Sequence, residues 1–456
     1  MKLPRVMLAA PASGSGKTLI TCGLLQALVN RGLNVASFKC GPDYIDPMFH
    51  SRVIGTRSGN LDTFFTDHET TRYLFGQAAE GSDISVVEGV MGYYDGLAGI
   101  SREASSSDVA AALDIPVILV VNTRGASVSV LPMVKGFLEF EEPRNIKGVI
   151  LNQMSAPLYG DIKKQIEETM PVKVVGYVPK SDDLVLESRH LGLVLPGEIE
   201  RLKEKLNRLA DVLEETLDID AVIELAASAP GFDYREPRLP MPEFTKEGKN
   251  VRVAVADDEA FCFTYRDNLR MLESMGAKLV TFSPISDAHL PADVQGLILS
   301  GGYPELHAAD LSANRTMLAD IREEVLGGLP CIAECGGFLY LHRTLEGGDG
   351  IEYPMAGVID ARAYKTDKLS RFGYITLTSK KDQLVMPEGG QIRGHEFHYW
   401  ESGDTGDGMK AQKPLRKRNW ECVHAGDSLY AGFPHLFFYS NPEAACRFLN
   451  KCGGRL

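Results

Sequence analysis

The chain lacks any apolar stretch long enough to span a bilayer. Its opening residues, Met1-Lys2-Leu3-Pro4, run straight into the apolar residues 6–10 without the layout of a signal peptide. Positive charge is also in short supply: 48 lysines and arginines stand against 61 aspartates and glutamates, a formal charge of -13. That balance argues against nucleic acid or an anionic membrane as the main partner, and an anionic substrate would have to be met by dedicated cationic side chains. A metal pair could be read into Cys331 and Cys335, but no second Cys/His pair at ligand spacing accompanies them, which argues against zinc. The remaining cysteines (22, 40, 262, 422, 446 and 452) are scattered, and scattered thiols without a secretion signal predict a reduced, cytoplasmic protein. Neither an internal repeat nor a low-complexity tract is present.

What is there reads as a globular α/β protein. At 456 residues the chain exceeds what one hydrophobic core usually serves, so two or three domains are expected. Apolar runs at 5–9, 34–38, 84–87, 116–121 and 147–151 alternate with amphipathic stretches, the pattern of a parallel sheet covered by helices on both faces. A charged surface helix is expected over 198–217. Between 226 and 250 the periodicity stops and Pro230, Pro237, Pro240 and Pro242 crowd together with Gly231 and Gly248. This predicts domains at 1–225 and 251–456 joined by a linker. A new strand is expected at 251–256, a helix at 265–275, and further strands at 278–281 and 296–299, making the second half another α/β unit.

In the first half, Ser13-Gly14-Ser15-Gly16-Lys17-Thr18 lies between a predicted strand and a predicted helix. Backbone N–H groups of such a glycine-rich turn point at phosphate oxygens, and the helix adds its positive end. Lys17 would reach the β and γ phosphates, and the Thr18 hydroxyl would hold Mg²⁺. Pro11 stands where the first glycine of the common pattern would be, so the loop more closely resembles the dethiobiotin synthetase variety. Asp43 and Asp46 follow the second predicted strand, and Glu88 and Asp95 belong to the segment after the third. Strand ends converging on the phosphate loop would gather Thr18, Asp46 and Glu88 around one Mg²⁺, whereas Asp43 and Asp95 could equally cap turns. Asn152 ends the run 149–151, where a base-reading side chain often sits.

The second half carries Ala333-Glu334-Cys335-Gly336-Gly337 between a predicted strand and helix. A thiol at such a turn gains from the helix N-terminus, which would lower its pKa, and the next N–H, of Gly336, can stabilise an oxyanion. Gly302 of Gly301-Gly302-Tyr303-Pro304-Glu305 could supply the second oxyanion donor. The thiol needs a base, and His435, His395 and His398 are all available. Residue chemistry leaves the choice among them open.

Taken together, these motifs resemble the cobyrinic acid a,c-diamide synthase family over essentially the full chain. The resemblance rests on residues 13–18, 38–46, 87–96 and 187–193 in the first half. In the second half it rests on 258–263, 267–269, 302–305, 334–337 and 393–399. It implies an N-terminal ATP- and Mg²⁺-dependent amide ligase similar to dethiobiotin synthetase, fused to a C-terminal class I glutamine amidotransferase domain. It also implies that His435 partners Cys335, and it makes Arg189, His190, Asp43 and Asp95 candidates for the ligase site. Phe437 departs from the family, which often carries a second histidine there, and leaves the orienter of His435 open. The implied reaction is amidation of the a and c acetates of cobyrinic acid, a tetrapyrrole polycarboxylate, with glutamine as nitrogen donor. Nickel-sirohydrochlorin is the alternative substrate, and a partitioning-type ATPase with an inactive glutaminase domain is the alternative class. Oligomeric state, a homodimer included, stays open.

Overall fold

The computed structural model describes all residues except 141–144, 181–195 and 370, with backbone alone for 196–200. The chain divides into two compact units, Met1–Pro237 and Arg238–Leu456.

The first unit is built on seven parallel strands: β1 (Arg5–Ala9), β2 (Val35–Cys40), β3 (Arg57–Leu61), β4 (Ile84–Glu88), β5 (Val117–Asn122), β6 (Ile146–Asn152) and β7 (Lys173–Val178). They lie in the order β3-β2-β4-β1-β5-β6-β7. β1, β2 and β4 are buried at every position. Sheets covered on both faces select such unbroken apolar runs rather than alternation. Because all the strands run the same way, the segments after β1, β2 and β4 emerge side by side at one edge. Helix α1 (Lys17–Asn30) follows β1 and packs on the helix Pro196–Thr216. Gly23 makes this approach close, because a methyl group there would lie 2.6 Å from Leu213 Cδ1. Arg31 ties the same pair of helices at the surface, 2.6 Å from Glu214.

The second unit has a six-stranded sheet of β8 (Val251–Ala256), β9 (Ala277–Phe282), β10 (Gly296–Leu299), β11 (Cys331–Glu334), β12 (His424–Ala425) and β13 (Leu429–Gly432). The order is β12-β13-β11-β10-β8-β9, parallel except for β12. Two further sheets, of four and five strands, occupy much of 342–436 and were not foreseen from the sequence. In the five-stranded sheet, Arg371–Ser379 runs antiparallel to Gln391–His398, and the short strand His435–Leu436 adds at the edge with His435 opposite His395. Among the described residues no helix is long and apolar enough to cross a membrane.

Candidate active sites

In the first unit the phosphate loop leaves β1 and enters α1 through Gly16, whose φ of 93° is one that only glycine adopts cheaply. A side chain at Gly16 is also excluded sterically, since its Cβ would fall 2.3 Å from Asn152 Nδ2. Asn152 donates from that nitrogen to the Ser15 carbonyl at 2.8 Å, so it braces the loop from the end of β6. Gly14 takes a φ of 76°, and the Ser15 hydroxyl donates to the Ala12 carbonyl at 2.8 Å, closing the turn on itself. Ser13 is exposed at its crest.

The structure brings Thr18 and Glu88 into contact: the Thr18 hydroxyl donates to Glu88 Oε1 at 2.6 Å. Asp46 reaches the same place through Lys39, whose ammonium lies 2.7 Å from Glu88 Oε1 and 2.5 Å from Asp46 Oδ2. Glu88 is wholly buried, and burial raises its pKa while Lys39 opposes the rise. Burial lowers the Lys39 pKa, but Glu88 and Asp46 outweigh it and hold the ammonium charged. Behind the pair sits His50, 3.9 Å from Glu88 Oε2 and held neutral, its pKa driven down to about 4 by burial. Lys17 is also buried and donates to the Met91 carbonyl. Lys39 was within the sequence motif yet had no role assigned there. The available signal was a lysine at the end of a buried strand, flanked in space by two carboxylates.

Asp43 and Asp95 both make turn contacts. Asp43 Oδ1 accepts from the N–H groups of Ile45 (2.9 Å) and Asp46 (3.2 Å), and Asp95 Oδ2 accepts from Gly92 at 2.9 Å. The Asp95 turn abuts the phosphate loop, because Tyr93 N–H donates to the Ala10 carbonyl at 2.8 Å. Arg189 and His190 lie outside the described residues.

In the second unit Cys335 sits between β11 and the short helix Gly336–Tyr340 with φ 47° and ψ -99°. An L-residue held there stores strain on the order of 1–3 kcal/mol, as nucleophile turns do. Its N–H donates to the Gly432 carbonyl at 2.8 Å, locking the turn to β13. The expected fall in the thiol pKa does not occur: burial pushes Cys335 up, Glu305 adds to the rise, and the Gly336 N–H acts against it without offsetting it. The following helix has five residues, too few for its dipole to offset the loss of water.

Glycines make the surroundings tight. A methyl on Gly336 would lie 2.9 Å from Gly302 N and 2.9 Å from Pro304 Cδ, and one on Gly301 would lie 2.3 Å from His435 Cε1. His435 is thus pressed against the segment that crosses the nucleophile turn. Its Nδ1 faces Glu334 Oε2 at 3.7 Å, and its ring stacks on His395 at 4.8 Å. Glu334 is anchored in turn by the Leu436 N–H at 3.0 Å. Phe437 makes an edge contact with Tyr265, 5.0 Å between rings. The charged neighbour of the imidazole therefore comes from the residue before the cysteine and not from the segment after the histidine. Of the rival histidines, His398 stacks on Phe433 at 3.7 Å and burial drives its pKa down to about 3.

Two family models match the chain: the CobQ/CobB/MinD/ParA nucleotide binding domain over residues 6–194 and the CobB/CobQ-like glutamine amidotransferase domain over 252–442. The cobyrinate a,c-diamide synthase of Caldanaerobacter subterraneus subsp. tengcongensis is 38% identical over 98% of both chains. That of Thermoplasma volcanium is 39% identical over 99% of this chain and 98% of its own. Among solved structures, the MinD cell division protein of Aquifex aeolicus aligns with 51% of this chain and 99% of its own, at 16% identity and a TM-score of 0.31. The chain belongs to the cobyrinate a,c-diamide synthase family, a carbon–nitrogen ligase with a nucleotide-binding unit and a glutamine amidotransferase unit.

Proposed function

We propose that this protein amidates the a and c acetate side chains of cobyrinic acid in the cytoplasm, activating each carboxylate with ATP and drawing ammonia from glutamine. The observation that carries the reading is the presence, in one chain, of a phosphate loop whose partly exposed Thr18 meets the buried Glu88–Lys39–Asp46 cluster, and of a strained cysteine preceded by a carboxylate that faces His435.

In the glutaminase half, Cys335 Sγ attacks the side-chain amide carbon of glutamine. Because the resting thiol is protonated, His435 takes its proton as the bond forms and returns it to the departing nitrogen. Ammonia leaves and a thioester remains, which water cleaves to glutamate. The Glu334 carboxylate favours the imidazolium that forms in between. The N–H groups of Gly336 and Gly302 stand by the turn to receive the developing oxyanion.

In the ligase half, residues Ser13 to Thr18 cradle the ATP phosphates, and Lys17 exchanges the Met91 carbonyl for a phosphate oxygen. Thr18, Glu88 and Asp46 suit Mg²⁺, since all three offer oxygens and Glu88 Oε2 accepts no hydrogen bond. Bound there with the nucleotide, such an ion supplies neutralisation of phosphate charge. A substrate acetate oxygen attacks the γ phosphorus and ADP departs. Ammonia then attacks the acyl carbon and phosphate leaves, giving the amide.

Mass spectrometry of the protein incubated with ATP, Mg²⁺, glutamine and either cobyrinic acid or nickel-sirohydrochlorin tests the reading. Two successive acid-to-amide shifts on cobyrinic acid alone are expected, and shifts on the nickel compound alone would reassign the ring. Cys335→Ser should abolish synthesis from glutamine and keep synthesis from ammonium. Lys17→Ala should remove both while sparing glutaminase activity, and unchanged ammonium-driven turnover would exclude the phosphate-loop assignment.

A further inference from the structure

Glu305 is a carboxylate that the mechanism above does not use. It is 8% exposed, sits in the short turn Pro304–Leu306, and has its own backbone N–H as a hydrogen-bond partner. Among the described residues no lysine, arginine or histidine lies within ion-pair distance of it, and Lys365 acts only from further away. Burial lifts its pKa to about 7. After burial itself, it is the strongest influence raising the Cys335 pKa, so it lies close to the nucleophile. The geometry agrees, because Pro304, its chain neighbour, approaches to within 2.9 Å of where a Gly336 methyl would be.

An uncompensated carboxylate in such a place is costly twice over. It loses hydration without a cation in return, and it disfavours the thiolate that the reaction must form. A cation delivered by the substrate would remove both costs. L-glutamine carries one: its α-ammonium is borne by the carbon three carbon–carbon bonds from the amide carbon that Cys335 attacks. We propose that Glu305 is the subsite for the α-ammonium group of glutamine, a role that rests on the glutaminase reading of this unit. Seating the ammonium on Glu305 fixes the far end of the substrate while the amide carbon meets Sγ. It also neutralises one of the charges that add to burial in disfavouring the thiolate.

The test compares L-glutamine with glutaramate, which keeps the amide and the carboxylate but lacks the α-ammonium, by ammonia release from the full-length enzyme. The wild type should use glutaramate with a kcat/KM on the order of 10- to 100-fold lower, the loss expected when one charge-assisted hydrogen bond is deleted. Glu305→Gln should lower kcat/KM for glutamine by a similar factor, chiefly through KM, and leave glutaramate unchanged. The unchanged turnover of glutaramate certifies the folding of the glutaminase unit in that variant, and ammonium-driven amidation should be unaltered. Glu305→Asp, retaining the charge, should restore part of the preference. A wild type that uses both compounds equally overturns the proposal whatever the variants do, as does a Glu305→Gln enzyme that keeps the full preference. No ammonia release from either compound would overturn the glutaminase reading and the subsite with it.

Discussion

At the scale of single residues, Lys39 holds together the two carboxylates beside the phosphate loop. Its ammonium compensates two carboxylates, one of them fully buried. Removing one partner of a buried ionic cluster leaves charge without solvent, a cost of about 3–5 kcal/mol. Lys39→Met should therefore lower the melting temperature of the protein markedly, and adding Glu88→Gln should recover much of the loss. Calorimetry of the two variants checks this, and a single variant as stable as the wild type would show that the cluster is not held by charge. The sequence displayed Lys39 plainly but gave no reason to single it out, because a lysine at a strand end is ordinarily a surface residue. Glu305 escaped for a related reason: its burial follows from the crossing of two distant segments, which composition does not record. The Cys335 turn was legible because strand, nucleophile and paired glycines are consecutive.

Secondary-structure elements show the same division. Most parallel strands of both units were legible as continuous apolar runs, and the helix Arg266–Ser274 falls within the expected span, but β7 and the polar, partly exposed β3 were not foreseen. The antiparallel sheets of 342–436 were not legible, since strands such as Arg371–Ser379 alternate only over residues 375–379 and bury none of the four residues before them. The position of Asn152 on β6 likewise does not disclose that its amide points down onto the phosphate loop. That brace is worth about 1 kcal/mol if it resembles an ordinary buried hydrogen bond. Asn152→Ala should weaken ATP binding roughly five-fold by titration, with the sheet intact. Gly16→Ala, which combines a positive φ with a clash against Asn152, should do far more damage to nucleotide binding.

Taken as a whole molecule, the chain buries histidines whose pKa falls and carboxyls whose pKa rises, and the two sets respond to acid in opposite directions. His342 is fully buried, bonded to the Phe338 carbonyl at 2.8 Å and Ser402 at 2.6 Å, with its pKa lowered to about 4, mainly by burial. An unfolded histidine takes a proton near pH 6.5, so between there and pH 4 the unfolded state binds more protons and stability falls as pH falls. Glu305 and Glu396, each raised to about 7 by burial, act the other way, holding protons in the folded state that the unfolded chain has released. Replacing His342 by Gln removes one acid-sensitive contribution. The stability gap between wild type and variant should therefore narrow by about 2 kcal/mol from pH 7 to pH 5 in denaturant titrations. A constant gap would mean that His342 titrates normally in the fold.

The glycine-crowded turn around Cys335 has one more consequence. Oxidants attack thiolates that they can reach. Here the sulfur belongs to a residue 6% exposed, is protonated at rest, and stands behind backbone that admits no side chain at Gly336 or Gly301. Peroxide should therefore oxidise Cys335 only slowly in the resting protein.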